Sequence, residues 1–243
     1  MHQTAIQNAV DFFETYKVLD NDLVVEIGSQ DVNGSIRNVI PSNVRYIGVD
    51  FVAGKGVDVI LNDPYVLPFE NGSVDRVVCS SCFEHSEMFW VLFLEILRVL
   101  KPRGLFYLNV PSNGPFHQYP VDCWRFYPDS GRGLVAWAKR NQYHSALLES
   151  YTSKKDRTVW NDYVAIFIRD EAFVSSFSSR IIDNKKAIYN GLRYGSNVFI
   201  NFREFPRDTL SSHPYLVLQT YVLRRVIKFI KYLKLRYVVK KTD

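Results

Sequence analysis

Cysteine and methionine are scarce in this chain, at three and two of 243 residues. Cys79, Cys82 and Cys123 cannot all pair, which excludes a disulfide scaffold and fits a reducing, cytoplasmic compartment. Long apolar runs are lacking too, and none approaches the ~18 residues that a membrane-spanning helix needs. The first sixteen residues carry Asp11 and Glu14 and no apolar core behind a basic start, so no secretory leader is read there. Heptads and a Gly-X-Y period are missing, which removes coiled coil and collagen. No Gly-x-Gly-x-x-Gly occurs, which counts against a dinucleotide dehydrogenase. What remains is 47% hydrophobic and 23% charged, the balance of a packed globular protein rather than a disordered one.

The net charge of +5 belongs to the tail. Residues 209–243 hold eight basic side chains and one acid, while the preceding 208 residues hold 22 basic and 24 acidic ones. A nucleic-acid enzyme more often carries a basic stripe on its body, so no nucleic-acid partner is expected. Within the tail, Val222, Val226, Phe229, Ile230, Leu233 and Tyr237 share one helical face over 221–239, opposite Arg224, Lys228 and Lys231. Such a helix lies on an anionic surface, or packs on the body or on a partner subunit. Both stay open: peripheral contact at the inner membrane surface, or a homo-oligomer contact, through residues 215–243.

Apolar spacing predicts a lead helix over residues 3–18. Short buried strands follow at Leu23–Ile27, Arg45–Val49, Val57–Leu61 and Val74–Cys79, then an amphipathic helix over Glu87–Leu100 that Pro102 and Gly104 stop. Leu105–Val110 is the fifth strand. Strand–helix alternation of this kind implies parallel strands with right-handed crossovers. A helix over Asp129–Gln142 leads to two strand-like runs, Ser145–Tyr151 and Tyr163–Arg169, close enough for a hairpin. Residues 171–208 look irregular. The fold expected is α/β: a Rossmann-like, open, mostly parallel sheet with an antiparallel C-terminal hairpin strand, helices on both faces, and a helical extension. The domain boundary is placed at 1–170 and 171–243.

Ligands of open α/β sheets bind outside the carboxyl ends of the strands, so those ends hold the candidate residues. Strand one ends Glu26-Ile27-Gly28, and a glycine there permits close approach of backbone to ligand. Strand two ends Gly48-Val49-Asp50, where an acid accepts from both ribose hydroxyls or merely caps a loop. Asn62-Asp63 ends the third strand, and Leu67-Pro68-Phe69 precedes Asp75. Phe83-Glu84-His85 follows the fourth strand, and then comes Leu94-Glu95-Ile96-Leu97-Arg98-Val99-Leu100-Lys101-Pro102-Arg103-Gly104.

Taken as an ordered set over residues 21–128, these pieces resemble class I S-adenosylmethionine-dependent methyltransferases of the small-molecule (type 11) branch. The resemblance implies an enzyme of the methyltransferase class with S-adenosylmethionine as cofactor. Gly28 and its turn would lie under the methionine part, Glu26 would organise the turn or reach the ammonium through water, and Asp50 would bind the ribose. Asp63 would hold the adenine amino group, and Ser80 and Ser81 would flank the methionine end. One departure stands out: Gln30 occupies the place of the usual second glycine, and Gly34 comes late. Asn62-Asp63-Pro64-Tyr65 looks like the motif of base N-methyltransferases but sits at the third strand instead of the fourth. Cys79-x-x-Cys82 with His85 suggests zinc, yet no second ligand pair follows and Cys79 belongs inside a strand, so no metal is expected.

Residues 113–128, NGPFHQYPVDCWRFYP, form the most unusual stretch, too broken by glycine and proline for regular structure. So many aromatics beside His, Asp and Arg point to an ordered lid or pocket wall over the methyl donor. Asp122 and Trp124-Arg125 are similar to loops of methyltransferases associated with surface-polysaccharide biosynthesis. Methyl transfer to a hydroxyl needs a proton acceptor, for which His117, then His85 and Asp122, are the candidates. Arg125 would orient the acceptor, and Trp124 or Tyr119 would stack on a sugar face. The function expected is O-methylation of a sugar or other small-molecule hydroxyl, a cell-surface glycan included. The alternatives are a non-catalytic S-adenosylmethionine-binding or assembly module and a nicotinamide-dependent oxidoreductase.

Overall fold

A computed structural model of the chain describes residues 2–154, 160–204, 222, 225 and 226. Contacts divide the chain into one unit, Met1–Phe202, and a second, Arg203–Asp243. Apart from residues 222, 225 and 226, the amphipathic helix expected over 221–239 lies outside the described residues. No helix among the described residues is long and apolar enough to cross a membrane.

The first unit is built on one eight-stranded sheet: β1 Leu23–Ile27, β2 Arg45–Asp50, β3 Val59–Ile60, β4 Val74–Ser80, β5 Leu100–Pro111, β6 Ala146–Ser153, β7 Asp162–Ile168 and β8 Ile188–Arg193. Their spatial order is β3-β2-β1-β4-β5-β7-β6-β8. The first five strands pair in parallel, with Ile27 opposite both Val49 and Cys79. β7 runs antiparallel to β5 and to β6, and β8 antiparallel to β6. Only eight residues separate β6 from β7, too few for the dozen or so that a parallel crossover takes.

Central strands are apolar on both faces because both are covered. α1 (Gln3–Thr15), N-capped by the His2 ring accepting from Ala5 N–H, buries Ala9, Phe12 and Phe13. They pack against Val24, Val78, Tyr107 and Val164 on one face. α2 (Phe89–Val99) and α3 (Ser130–Arg140) cover the other, where Phe93, Ile96 and Leu97 meet Val25, Val77, Phe106 and Phe167. Each fully buried valine or phenylalanine contributes about 1.5–3 kcal/mol.

Three elements differ from expectation. β3 is only two residues long, because Asp58 turns back on β2, its carboxylate accepting from Gly48 N–H at 2.8 Å. β5 begins at Leu100 and runs through Pro102 and Gly104. Their carbonyls accept from Asp170 and Arg169, a role that needs no N–H from proline. β8 lies in the stretch read as irregular. Its Asn190-Gly191 resembles a hairpin turn, yet Asn190 has a φ of +50° inside the strand, beside the register shift at Ser150/Thr152. The boundary expected at 170 therefore falls between β7 and β8, and the sheet continues beyond it.

Candidate active site

The tips of β1 and β2 lie side by side. Gly28 has a φ of +73°, in the left-handed region that favours glycine, and a Cβ there would come within 2.8 Å of Cys82 Cβ. The N–H groups of Gly28 and Ser29 both donate to the Val49 carbonyl, at 3.0 and 3.2 Å. Asp50 is buried at the end of β2. Its carboxylate accepts from Gln30 N–H at 3.2 Å through one oxygen and from Val52 N–H at 3.1 Å through the other. A carboxylate offers about four acceptor positions, so each oxygen keeps capacity for a further donor. Phe51 and Val52, the next residues along, expose apolar surface.

The other strand tips are less alike. Glu26 is buried within β1 and accepts from Tyr46 Oη and from the Ile36 backbone. Burial pushes its carboxyl up to about 7. It braces the segment behind the turn. Asp63 is exposed, with one oxygen accepting from Tyr65 N–H at 2.8 Å. Ser80 ends β4, buried against Asn109, and exposed Ser81 has a φ of +55°. The residue types at the β1 and β2 tips suit a nucleoside: a glycine turn, an acceptor carboxylate with capacity to spare, and an apolar side chain next to it.

Across from these tips, the loop after β5 folds onto the turn Phe83–His85. The carbonyl of Glu84 accepts from Cys123 N–H at 2.8 Å and from Trp124 N–H at 3.2 Å. His85 and His117 meet edge to face with ring centroids 4.9 Å apart, and Trp160 lies 4.9 Å from His117 on another side. His85 Nδ1 sits 2.5 Å from the Val121 carbonyl, and burial holds its imidazole below the ordinary range. Tyr119 Oη donates to Gln30 Oε1 at 2.7 Å.

Asp122 and Arg125 are engaged with each other and with their own loop. Asp122 accepts from His117 N–H at 2.7 Å and from both terminal nitrogens of Arg125 at 2.5 and 2.7 Å. These bonds, Arg125 foremost, bring its carboxyl down to about 2, which makes it a poor proton acceptor near neutrality. Arg125 also donates to the carbonyls of Pro115 and Trp124, so its guanidinium holds the loop together. Trp124 packs edge to face with Phe89 and Trp90 and donates to the Ser86 carbonyl at 2.9 Å. Glu84, Gln30 and Phe51 also lie here, and the sequence reading assigns none of them a role. Gln30 is a departure in the glycine turn, and Phe51 sits directly after an expected ribose ligand; either position is a usable signal.

Residues 38–108 match the model of a family described as a methyltransferase domain. No curated protein matches the chain. Among solved structures, 1,6-didemethyltoxoflavin-N1-methyltransferase of Burkholderia thailandensis, with S-adenosylhomocysteine bound, is 15% identical with a TM-score of 0.53. The match covers 70% of this chain and 80% of that one. The YcgJ protein of Bacillus subtilis is 14% identical with a TM-score of 0.50, covering 70% and 100%. The [4+2]-cyclase SpnF is 11% identical with a TM-score of 0.52, covering 69% and 82%. Likeness at these identities shows the fold: a Rossmann-like methyltransferase fold.

Proposed function

We propose that this chain transfers a methyl group from S-adenosylmethionine to a hydroxyl of a sugar or other small molecule, with a cell-surface glycan as the acceptor to try first. The observation that carries this reading is the spare acceptor capacity of Asp50 beside the Gly28 turn, tied through Gln30 to the loop that holds His117. When bound, the cofactor supplies an activated methyl on a sulfonium. The carboxylate of Asp50 takes the ribose hydroxyls, Phe51 and Val52 offer the adenine an apolar wall, and Asp63 accepts from its amino group. Gly28, Ser80 and Ser81 line the methionine end.

Transfer to oxygen is an in-line displacement, so the acceptor must be held in line and its proton removed. The paired imidazoles of His85 and His117 are the groups suited to that proton, and Tyr119 and the edge of Trp124 are surfaces for a sugar face. Asp122 and Arg125 keep His117 in place. Turnover on glycan acceptors is expected to fall at least ~100-fold in His117→Ala. The chain is expected to bind S-adenosylhomocysteine and not NAD in calorimetry. Binding of NAD instead would overturn the reading in favour of a nicotinamide enzyme, and cofactor binding without turnover on any acceptor would favour a non-catalytic module.

The basic tail favours an anionic membrane surface as the place where a lipid-linked acceptor is met. Flotation with anionic liposomes checks this: full-length chain is expected to float, and chain lacking residues 215–243 is not.

A further inference from the structure

Glu84 is 1% exposed, and its Oε2 is buried without a hydrogen-bond partner among the described residues. A carboxylate oxygen in that position is costly unless something positive meets it. Beside it stand two imidazoles. One ligand-capable atom from each of Glu84, His85 and His117 lies within 4.8 Å of the others, although 33 positions separate Glu84 from His117.

The tautomers favour a cation between them. His85 Nδ1 faces the Val121 carbonyl, which can only accept, so Nδ1 carries the hydrogen and the Nε2 lone pair is free. That Nε2 is 3.9 Å from Glu84 Oε1. His117 Nδ1 lies 3.3 Å from the Pro115 carbonyl and 3.3 Å from Asp122 Oδ2, both acceptors, with the Arg125 guanidinium farther off at 3.5 Å; the two nearer acceptors favour the hydrogen on Nδ1, which leaves the lone pair on Nε2. An imidazole whose far nitrogen donates to a carbonyl or carboxylate is the usual state of a metal-bound histidine.

We propose that Glu84, His85 and His117 form a binding site for one divalent transition-metal ion of the zinc type. Two imidazoles and a carboxylate suit zinc, cobalt or iron better than magnesium or calcium, and three protein ligands leave positions open for an outside oxygen. Bond lengths of about 2.1 Å put ligand atoms about 3.0–3.4 Å apart, so the three groups close by roughly an ångström on binding. His117 is the most exposed of them, and its ring closes by turning about its own side-chain bonds while its N–H stays tied to Asp122. Cys79 lies fully buried in β4 and stays outside the set.

Resting on the methyl-transfer reading, the ion has a task at the acceptor side. An acceptor hydroxyl bound to it loses its proton to solvent, as a zinc-bound water does. The oxygen then attacks the sulfonium methyl: the C–O bond forms, the S–CH3 bond breaks, and the sulfur leaves as a neutral thioether. The two imidazoles thus serve proton removal as ligands.

Cobalt(II), followed by its visible absorption, and zinc(II) competing with it are the probes, added to full-length chain stripped by a chelator. One ion per chain is expected, without a thiolate charge-transfer band. Glu84→Gln and His117→Ala are each expected to weaken cobalt binding at least ~10-fold, and a Cys79→Ser, Cys82→Ser double variant to bind as before. No saturable binding, binding that survives both ligand variants, or loss in the cysteine variant would overturn the site. If Glu84→Gln fails to fold, His117→Ala, at a loop position, decides alone. Failure of S-adenosylhomocysteine to bind would remove the methyl-transfer reading and leave the ion titration standing.

Discussion

Tyr119 Oη donates a 2.7 Å hydrogen bond to Gln30 Oε1, joining the aromatic loop to the glycine turn across 89 positions of sequence. Gln30 N–H also donates to Asp50, so one residue touches both the expected ribose ligand and the expected lid. The side chain that breaks the family pattern in the turn is the one that anchors the loop.

Removing that bond frees the loop without touching the core. Tyr119→Phe is expected to raise amide exchange in residues 113–121 about fivefold, the equivalent of the ~1 kcal/mol that a neutral hydrogen bond contributes. Thermal stability should stay unchanged. Hydrogen-exchange mass spectrometry of the two proteins measures it, and equal exchange would show the bond to be idle.

Asp50 is expected to dominate cofactor affinity. Hydrogen bonds to a charged acceptor contribute about 1.5–3 kcal/mol, so Asp50→Ala should weaken S-adenosylhomocysteine binding on the order of 10- to 100-fold by calorimetry. Undiminished affinity would place the nucleoside elsewhere.

Glu26 makes stability depend on pH in a stated direction. Its folded-state value, about 7, lies above its ordinary value of 4.5, so the native chain keeps a proton that the unfolded chain releases. Stability from this group is full below about pH 4.5, falls as pH rises towards 7, and is flat above that. Glu26→Gln keeps the shape and cannot ionise. In urea unfolding without cofactor it should match the parent near pH 4 and exceed it by up to about 3 kcal/mol at pH 8. A gap of the same size at both pH values would contradict the assignment.

Glu149 is a structural acid at the heart of the other face. Fully buried in β6, it accepts from Tyr16 Oη at 2.5 Å and from the N–H groups of Ile181 and Ile182 at 2.8 and 3.0 Å, at the start of the four-residue helix Ile181–Asn184. Glu149→Ala strands three donors in the interior and should cost about 3 kcal/mol or more. Denaturant unfolding checks this, and a loss under 1 kcal/mol would mean that water replaces the carboxylate.

The legible part of this fold is the part written in neighbouring residues. Leu23–Ile27, broken only by Glu26, and the Val77–Cys79 part of β4 stand out as strands because a strand covered on both faces reads as a nearly continuous apolar run. The same holds for Leu105–Val110 within β5. Reading failed where local signals conflict with long-range pairing. Pro102 and Gly104 look like a helix stop but lie inside β5, since Arg169 and Asp170, just after β7, ask only for their carbonyls. Residues 171–208 look irregular but contain β8, which forms by antiparallel pairing with β6.

Sequence alone determined the strand–helix alternation, the acid at the end of β2 and the glycine after β1, because hydrophobic period and turn chemistry act over a few residues. Only the tertiary structure decided that Glu84 and His85 meet His117, that Gln30 meets Tyr119, and that Asp122 is spent on Arg125. Those meetings depend on where two distant loops close over the same end of one sheet. No local pattern encodes that closure, since it comes from strand order and register.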